Sequence, residues 1–415
     1  MCTTANNREI IEPRIIQLVR ELTAAPATDE VADALKPVME QVVDQAASSS
    51  QGGKRLRALL ALDAFDILTG DVTPDWRDAM IDLACAIEVF QTAALVHDDI
   101  IDESDLRRGK PSAHHALEQA VHSGAIGRGL GLMLGDILAT ACIEITRRSA
   151  SRLPNTDALN EAFLTMQREV EIGQVLDLAV EMTPLSNPEA LANASLNVFR
   201  WKTASYTTIA PLLLALLAAG ESPDQARHCA LAVGRPLGLA FQLADDLLDV
   251  VGSSRNTGKP IGGDIREGKR TVLLADALSA ADTADKADLI AIFEADCRND
   301  NQVARTIELF TSTGALDRSR ERIAALWGES RKAIAGLEDA GVATGTLGDF
   351  LRDFAEELGH GLLVLQVGED EAAVGHAVVF GAVDQRLAVN AESFCLSQGG
   401  EDSLMHDKRD GHVGE

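Results

Sequence analysis

Two clusters of aspartates, each spaced Asp-Asp-x-x-Asp, are the residues best suited to chemistry. Their members are Asp98, Asp99, Asp102, Asp245, Asp246 and Asp249. Residues four apart lie on one face of a helix, so each cluster would direct carboxylates at a single patch. Mutual repulsion and the negative end of the helix dipole make such a patch unfavourable unless a cation binds there. Carboxylates without His or Cys partners are typical ligands of Mg²⁺, which also binds substrate phosphates.

An acidic cluster of this kind is also typical of a solvated helix face. Here the segments that precede the clusters, QTAALVH and GLAFQLA, are strongly apolar. A solvated face normally belongs to an amphipathic helix, whereas a helix without a polar face is normally buried. The pair of clusters therefore favours two metal-binding ends of buried helices.

Two basic segments accompany the acidic clusters. Residues 52–57 read GGKRLR, and residues 106–111 read LRRGKP just beyond the first cluster. Such groups at helix termini bind phosphate through charge-assisted hydrogen bonds. Either segment alone would be an ordinary surface charge run, but together with the aspartates they favour a phosphate-binding role.

The composition restricts the class of protein. In the chain of 415 residues, 46% are hydrophobic and only 4% aromatic, which favours packed helices over aromatic-rich strands. A net charge of −27 argues against nucleic-acid binding. The six cysteines form no CxxC pair, so neither a disulfide framework nor a zinc site is indicated, and a reducing cytoplasm fits. Charges interrupt the first 30 residues and every later apolar stretch of about 18, so we predict neither export nor a membrane span.

Apolar residues at helical spacing continue from about residue 8 to 356, without a repeat or a period-2 run. Long helices are predicted over 76–101 and 228–251, each ending in an acidic cluster, and the second is apolar on nearly every side. We therefore predict an all-α domain over 1–358. After Leu358 the helical pattern fades, and we interpret 359–415 as a largely mobile extension.

The motifs and their order resemble those of the trans-isoprenyl diphosphate synthase family. In the sequence these are GGKxxR, DDxxD followed by RRG, GQxxD, KT, FQxxDDxxD and GK, at residues 52–57, 98–109, 173–177, 202–203, 241–249 and 258–259. The resemblance covers about residues 50 to 275 by motif. It implies an isoprenoid synthase-type bundle of long, mostly antiparallel helices around a central apolar cavity. It also implies a transferase of isoprenoid biosynthesis that condenses an allylic prenyl diphosphate with isopentenyl diphosphate.

The resemblance implies the following metal and allylic sites. Asp98, Asp102 and Asp245 would ligate Mg²⁺ directly, with Asp99, Asp246 and Asp249 in support. Three ions per site are expected, and Mn²⁺ could replace them. Three catalytic cations would hold the allylic diphosphate, and two polar side chains would line its pocket: Arg107, Lys202 and Lys259, then Thr203 and Gln242.

For isopentenyl diphosphate the resemblance implies a second set of residues. Lys54, Arg57 and Arg108 would bind its diphosphate together with Gln91, at a position that is usually His or Gln in the family. For Gln174 and Asp177 of GQxxD, a buried polar pair is an alternative to a ligand role. A homodimer is also implied.

Product length follows from positions preceding Asp98. Ala93 and Ala94 lie about one turn deeper, ~6 Å, and Phe90 about two turns deeper, ~12 Å. Family members that stop at fifteen carbons commonly carry an aromatic group at the first level, where this chain has alanine. Phe90 would then be the floor, which favours geranylgeranyl diphosphate and, second, a longer product, although Phe90 could instead be plain core. A class I terpene cyclase is the alternative function, but it needs no second diphosphate site. A non-catalytic partner subunit would normally lack one Asp motif.

Overall fold

The computed structural model of the chain describes residues 4–26, 30–70, 72–252, 261–339 and 347–354. Lys259, the boundary predicted at 358 and the extension 359–415 lie outside these residues. The α-helices are α1 Thr4–Thr23, α2 Lys36–Ser49, α3 Leu56–Thr69, α4 Pro74–Ile101, α5 Ala113–Val121, α6 Gly124–Ala150, α7 Thr156–Val180, α8 Pro188–Val198, α9 Ala210–Ala218, α10 Pro223–Val251, α11 Gly263–Glu267, α12 Val272–Ala280, α13 Thr283–Phe293, α14 Asp300–Ser312 and α15 Ala315–Asp339. A π-helix, π1, spans Phe199–Ile209 between α8 and α9, and residues 347–354 are helical. The all-α prediction is confirmed.

One short hairpin interrupts the helices in the described part of the chain. Strands β1 Leu106–Arg107 and β2 Lys110–Pro111 pair antiparallel between α4 and α5. Both turn residues have positive φ, 52° at Arg108 and 75° at Gly109. A tight two-residue turn requires this conformation, and glycine adopts it without strain. The RRG motif is therefore the turn that places two arginines beside the end of α4.

Helix α10 passes through both hydrophobic clusters of the bundle. Its first half, including Val233, packs in a cluster built around α3, α4, α6 and α9. Its second half, including Leu243, packs in a cluster with α12 and α14. The helix begins five residues before the predicted start at 228, with Pro223 in its first turn, where the missing N–H costs nothing. Within the predicted range 228–251 only His228 and Asp245 are exposed, so the prediction of burial on nearly every side is confirmed.

Helix α4 is the core helix of the first cluster. Pro74 opens it, and the Thr73 hydroxyl accepts a hydrogen bond from Trp76 N. By length and composition, α4 and α6 are each apolar enough to cross a membrane. The apolar part of α4 is 78% buried inside the protein, as in a core helix of a globular domain. For α6 the buried share is 44%.

The segment π1 was not predicted from the sequence. It runs into α9, where Pro211 stands in the first turn and cannot donate the hydrogen bond that an α-helix sends to the carbonyl four residues earlier. Such wider helical turns occur frequently at functional sites. This one carries Lys202 and Thr203 near its start and Tyr206 and Thr207 one turn later.

Candidate active site

The first acidic cluster lies at the C-terminal end of α4. Asp98 is half-buried, and its Oδ1 lies 3.1 Å from Lys202 Nζ of π1. Asp102 is the C-cap, its N–H donates to the Asp98 carbonyl, and its Oδ2 lies 3.7 Å from Lys269 Nζ. Burial and the neighbouring Asp98 raise the pKa of Asp102 to about 6. This helix end therefore concentrates negative charge that two lysines partly neutralise.

Asp99 turns away from Asp98 and is 2% exposed. Its Oδ1 accepts hydrogen bonds from Nε, at 2.8 Å, and Nη2 of Arg107 in the hairpin. A cavity of about 70 Å³ on this side of α4 is lined by Asp99, Arg107, Arg108 and Lys110, among others. In this structure Asp99 serves to fix Arg107.

The second acidic cluster lies near the end of α10. Asp245 is exposed, whereas Asp246 is 5% exposed and accepts a hydrogen bond from Gln242 Nε2 at 2.9 Å. The Oδ2 atom of Asp246 is buried without a hydrogen-bond partner. Thr203 Oγ1 donates to Gln242 Oε1 at 2.8 Å, so π1 contacts this cluster as well. Burial, together with the nearby Asp264, raises the pKa of Asp246 well above its ordinary value.

Asp249 completes this cluster and caps α11. Its two carboxylate oxygens accept hydrogen bonds from Gly263 N and Asp264 N, each at 3.1 Å. The negative carboxylate thus satisfies N–H groups at a helix N-terminus, where it is favourable.

Lys269 brings the two clusters together. Its Nζ lies 3.7 Å from Asp102 of the first cluster, 3.5 Å from Asp264 and 2.7 Å from Glu267. Asp264 in turn donates its backbone N–H to Asp249 of the second cluster. Burial alone would lower the pKa of Lys269, but the surrounding carboxylates raise it, so the lysine stays charged. Lys269 thus links Asp102 of the first cluster to Asp264, which in turn bonds to Asp249 of the second.

Gly173 explains how Lys202 reaches this site. A Cβ at Gly173 would lie 2.3 Å from the backbone nitrogen of Lys202, so only glycine allows α7 to pack this closely against π1. Lys202 Nζ also contacts Asp177 Oδ2 at 2.5 Å. The structure does not show the buried Gln174–Asp177 pair, since both side chains are half-buried and Asp177 binds Lys202.

The carboxylates fit a hard divalent cation. All the ligand atoms that the six aspartates offer are oxygens, and one buried oxygen of Asp246 lacks a hydrogen-bond partner. Burial raises the pKa values of Asp102 and Asp246, and a bound cation would offset that cost of ionisation. Within the described residues no three acidic, His or Cys side chains already converge on one point. The ammonium groups of Lys202 and Lys269 lie against Asp98 and Asp102.

The second basic region lies between α3, α4 and π1. Arg57 is 8% exposed, its Nη2 donates to Thr207 Oγ1 at 2.8 Å, and its Cζ stands 4.0 Å over the Tyr206 ring. With its amide oriented to satisfy both neighbours, Gln91 accepts from Arg57 Nη1 at 3.0 Å. Arg108 Nη1 donates to the carbonyls of Gln51 and Gly52 in the GGK loop, residues 50–55 between α2 and α3. The structure thus joins the hairpin, the loop and α4 in one basic region.

The positions predicted to control product length lie on α4. Phe90 is 1% exposed, and its ring meets that of Tyr206 edge-on with centroids 6.2 Å apart. Ala93 is 1% exposed, and Ala94 is half-buried. Tyr206 therefore stands between Phe90 and Arg57.

Several site residues were missed from the sequence. Lys269 and Asp264 lie in GDIREGKR, a charged stretch between two apolar helices, and that contrast was the available signal. Arg55 and Glu88, described below, have no such signal, because a buried ion pair between distant helices leaves no local pattern.

A family model for polyprenyl synthetase matches residues 36–310, more than half of the chain. This chain belongs to the polyprenyl synthetase family. It is 31% identical over 301 residues to a short chain isoprenyl diphosphate synthase of Methanothermobacter thermautotrophicus, covering 69% of this chain and 85% of the relative. It is 30% identical over 289 residues to an octaprenyl diphosphate synthase of Escherichia coli, covering 70% and 80%.

The family's solved structures agree with this fold. The crystal structure of a geranylgeranyl pyrophosphate synthase from Corynebacterium glutamicum, complexed with isoprenyl diphosphate and magnesium, superposes with a TM-score of 0.71 at 32% identity. The match covers 85% of this chain and 98% of that one. The predictions of the trans-isoprenyl diphosphate synthase family and of a prenyltransferase are confirmed.

Proposed function

We propose that the enzyme ionises an allylic prenyl diphosphate between the two acidic clusters and joins the resulting allylic cation to isopentenyl diphosphate. The observation that carries this proposal is Lys269, which contacts Asp102 directly and the second cluster through Asp264. Opposed carboxylates with lysines between them suit a ligand made of divalent cations and diphosphate.

The six aspartates would hold Mg²⁺. When bound, the metal supplies positive charge that stabilises the departing diphosphate. Asp98, Asp102 and Asp245 would be direct ligands, and Asp249, which also caps α11, would act in direct or water-mediated support. Asp99 and Asp246 are buried and would act in support.

The allylic diphosphate would be held by lysines and by the hairpin. Lys202 is already aimed at Asp98, and Lys259 of the GK motif and Arg107 would add positive charge where the leaving group gains negative charge. Thr203 and Gln242, which bond to each other, would line the same pocket.

Isopentenyl diphosphate would bind Lys54, Arg57, Gln91 and Arg108. Lys54 belongs to the GGK loop, Arg108 bonds to the carbonyls of that loop, and the Arg57 guanidinium is held in place on two sides. Holding the second substrate with its double bond towards the allylic carbon lowers the barrier by proximity. The proton lost from the condensed product would pass to the released diphosphate.

Product analysis tests the function. Dimethylallyl, geranyl and farnesyl diphosphates are each incubated with labelled isopentenyl diphosphate and Mg²⁺, and products are analysed by mass. Incorporation of label is expected, with geranylgeranyl diphosphate as the main product. Release of hydrocarbon from geranylgeranyl diphosphate alone, without incorporation, would instead support a terpene cyclase.

Phe90 is the proposed floor of the chain-length pocket. Truncating it to alanine should lengthen the product by about one isoprene unit, because one helical turn of depth is gained. The loss of a buried phenyl group also costs about 3–5 kcal/mol of stability, so Phe90→Leu is the milder second variant. An unchanged product spectrum in both variants would show that Phe90 is plain core.

We further propose a cytoplasmic homodimer without a membrane span. The exposed face of α6 carries Ile126, Leu132, Met133 and Ile143, an apolar row that a second copy would cover. Sedimentation equilibrium of the purified enzyme in detergent-free buffer tests both points. The catalytic domain is proposed to span 1–358, with 359–415 as an appended extension.

A further inference from the structure

Arg55 and Glu88 form a buried ion pair behind the proposed isopentenyl diphosphate site. Their side chains are 1% and 2% exposed, and Arg55 Nη1 lies 3.3 Å from Glu88 Oε2. Arg55 Nε also donates to Glu12 Oε2 of α1 at 2.6 Å, and its Nη2 donates to the Ser50 carbonyl. One guanidinium thus binds α1, α4 and the GGK loop together.

Glu88 satisfies groups on both sides of this pair. Its Oε1 accepts a hydrogen bond from Ala58 N, in the first turn of α3, at 3.2 Å. Its Oε2 accepts from the Gln91 amide at 3.2 Å, and Gln91 accepts from Arg57. A carboxylate at a helix N-terminus is favourable. Here it also fixes the orientation of Gln91, which is proposed to bind the substrate. Glu88 therefore reaches Arg57 through both the backbone of α3 and the side chain of Gln91.

The backbone at Arg55 is part of the same arrangement. Its φ is 55°, a left-handed conformation uncommon for side chains other than glycine, asparagine and aspartate. This turn separates Lys54 from α3, which begins at the next residue and carries Arg57. The bonds from the guanidinium hold the chain in that turn, so the positions of Lys54 and Arg57 depend on Arg55.

Charge gives a second reason for a buried carboxylate here. Arg55, Arg57 and Arg108 approach the same loop, and burial together with the charge of Arg55 lowers the pKa of Arg108, which Glu88 opposes. Without Glu88, the positive charges of these arginines would lack a buried carboxylate to offset them in the enzyme without substrate.

We propose that Glu88 and Arg55 are positioning residues that set the geometry of Lys54, Arg57 and Gln91 for isopentenyl diphosphate. They act on the binding of that substrate and not on the allylic one. This inference rests on the function proposed above.

Steady-state kinetics with each substrate varied separately tests the inference. Glu88→Gln keeps the shape and removes the charge, so KM for isopentenyl diphosphate should rise about tenfold or more. KM for the allylic diphosphate should stay within about twofold. Arg55→Lys keeps the positive charge but lacks the planar guanidinium, so it should raise KM for isopentenyl diphosphate less than Arg55→Met does. Titration calorimetry should rank the dissociation constants of the variants for isopentenyl diphosphate in the same order as their KM values.

Asp82→Asn is the matched control. Asp82 accepts two hydrogen bonds from Arg14, at 2.6 and 2.9 Å, and so joins α4 directly to α1, which Glu88 reaches only through Arg55. This variant should lower the melting temperature and leave both KM values unchanged. A Glu88→Gln enzyme that behaves like the control, or in which both KM values rise together, would overturn the inference. Should Glu88→Gln not fold, the Arg55 pair of variants decides by the same criterion.

Lys54→Ala separates this inference from the proposed function. If Lys54→Ala raises KM for isopentenyl diphosphate while the Glu88 and Arg55 variants do not, the positioning role alone is wrong. If Lys54→Ala also leaves that KM unchanged, the assignment of the site itself fails, and the inference fails with it.

Discussion

The two acidic clusters share one spacing but differ in how the protein treats their middle residue. Asp99 and Asp246 are both nearly fully buried, while the residues one position earlier, Asp98 and Asp245, are more accessible. Asp99 accepts two hydrogen bonds from Arg107, whereas Asp246 has the neutral Gln242 and an oxygen without a partner. Among the described contacts, the middle residue of the first cluster thus binds a guanidinium, whereas that of the second binds a neutral amide.

The third residues differ as well. Asp102 accepts no backbone hydrogen bond through its carboxylate in the contacts described and faces Lys269, whereas Asp249 caps α11 through both oxygens. Identical motifs therefore have different structural duties. The difference teaches that the spacing defines which carboxylates share a patch, while the neighbours decide which of them remain available to a cation.

The largest expected effect concerns the first residue of each cluster. Asp98→Ala and Asp245→Ala should each lower kcat by roughly 10²–10³-fold, because each removes charge that would hold the metal against the leaving diphosphate. Exposed aspartates on the same helices provide controls, and Asp78→Ala and Asp224→Ala should be nearly neutral. If only one of the two clusters proved sensitive, the model of paired metal-binding ends would be broken.

An intermediate effect is expected at the middle residues, with opposite signs. In metal-free buffer Asp99→Asn should lower the free energy of unfolding by about 1–2 kcal/mol, because the Arg107 guanidinium loses its charged partner, while the burial that also raises the pKa of Asp99 offsets part of that loss. Asp246→Asn should be neutral or stabilising, since burial raises the pKa of Asp246 and makes its ionised form costly in the folded state. Urea denaturation measures both.

The effect of Asp246→Asn on the free energy of unfolding should depend on pH. The cost of its ionised form is fully present above its raised pKa and disappears as the pH falls towards its ordinary value of 3.8. The difference in unfolding free energy between the Asn variant and wild type should therefore shrink at acidic pH. A gap that grows on acidification would contradict the assigned burial effect.

The smallest effect concerns the third residues. Asp249→Asn should cost about 1 kcal/mol of stability, because an amide group replaces one acceptor at the start of α11. Asp102→Asn should be neutral or stabilising, since its carboxylate makes no such cap and burial raises its pKa to about 6. Equal losses in the two variants would remove the contrast between them.

Several features could be predicted from the sequence because they depend on local spacing. The helical period gave the all-α class and the end of α4 at Ile101, and the motif order gave the family. Boundaries were less accurate where a proline opens a helix, as at Pro223. The π-helix was not foreseen, because it depends on hydrogen bonds between turns that composition does not display.

The sequence by itself determined which residue types stand at which spacing: two sets of aspartates on helix faces and the basic motifs that accompany them. Only the tertiary structure decided that Lys269 joins the clusters, that Arg107 neutralises Asp99 and that Arg55 and Glu88 brace the GGK loop. The reason is physical, since the charge and burial of a carboxylate depend on groups from distant parts of the chain that meet only when the helices pack.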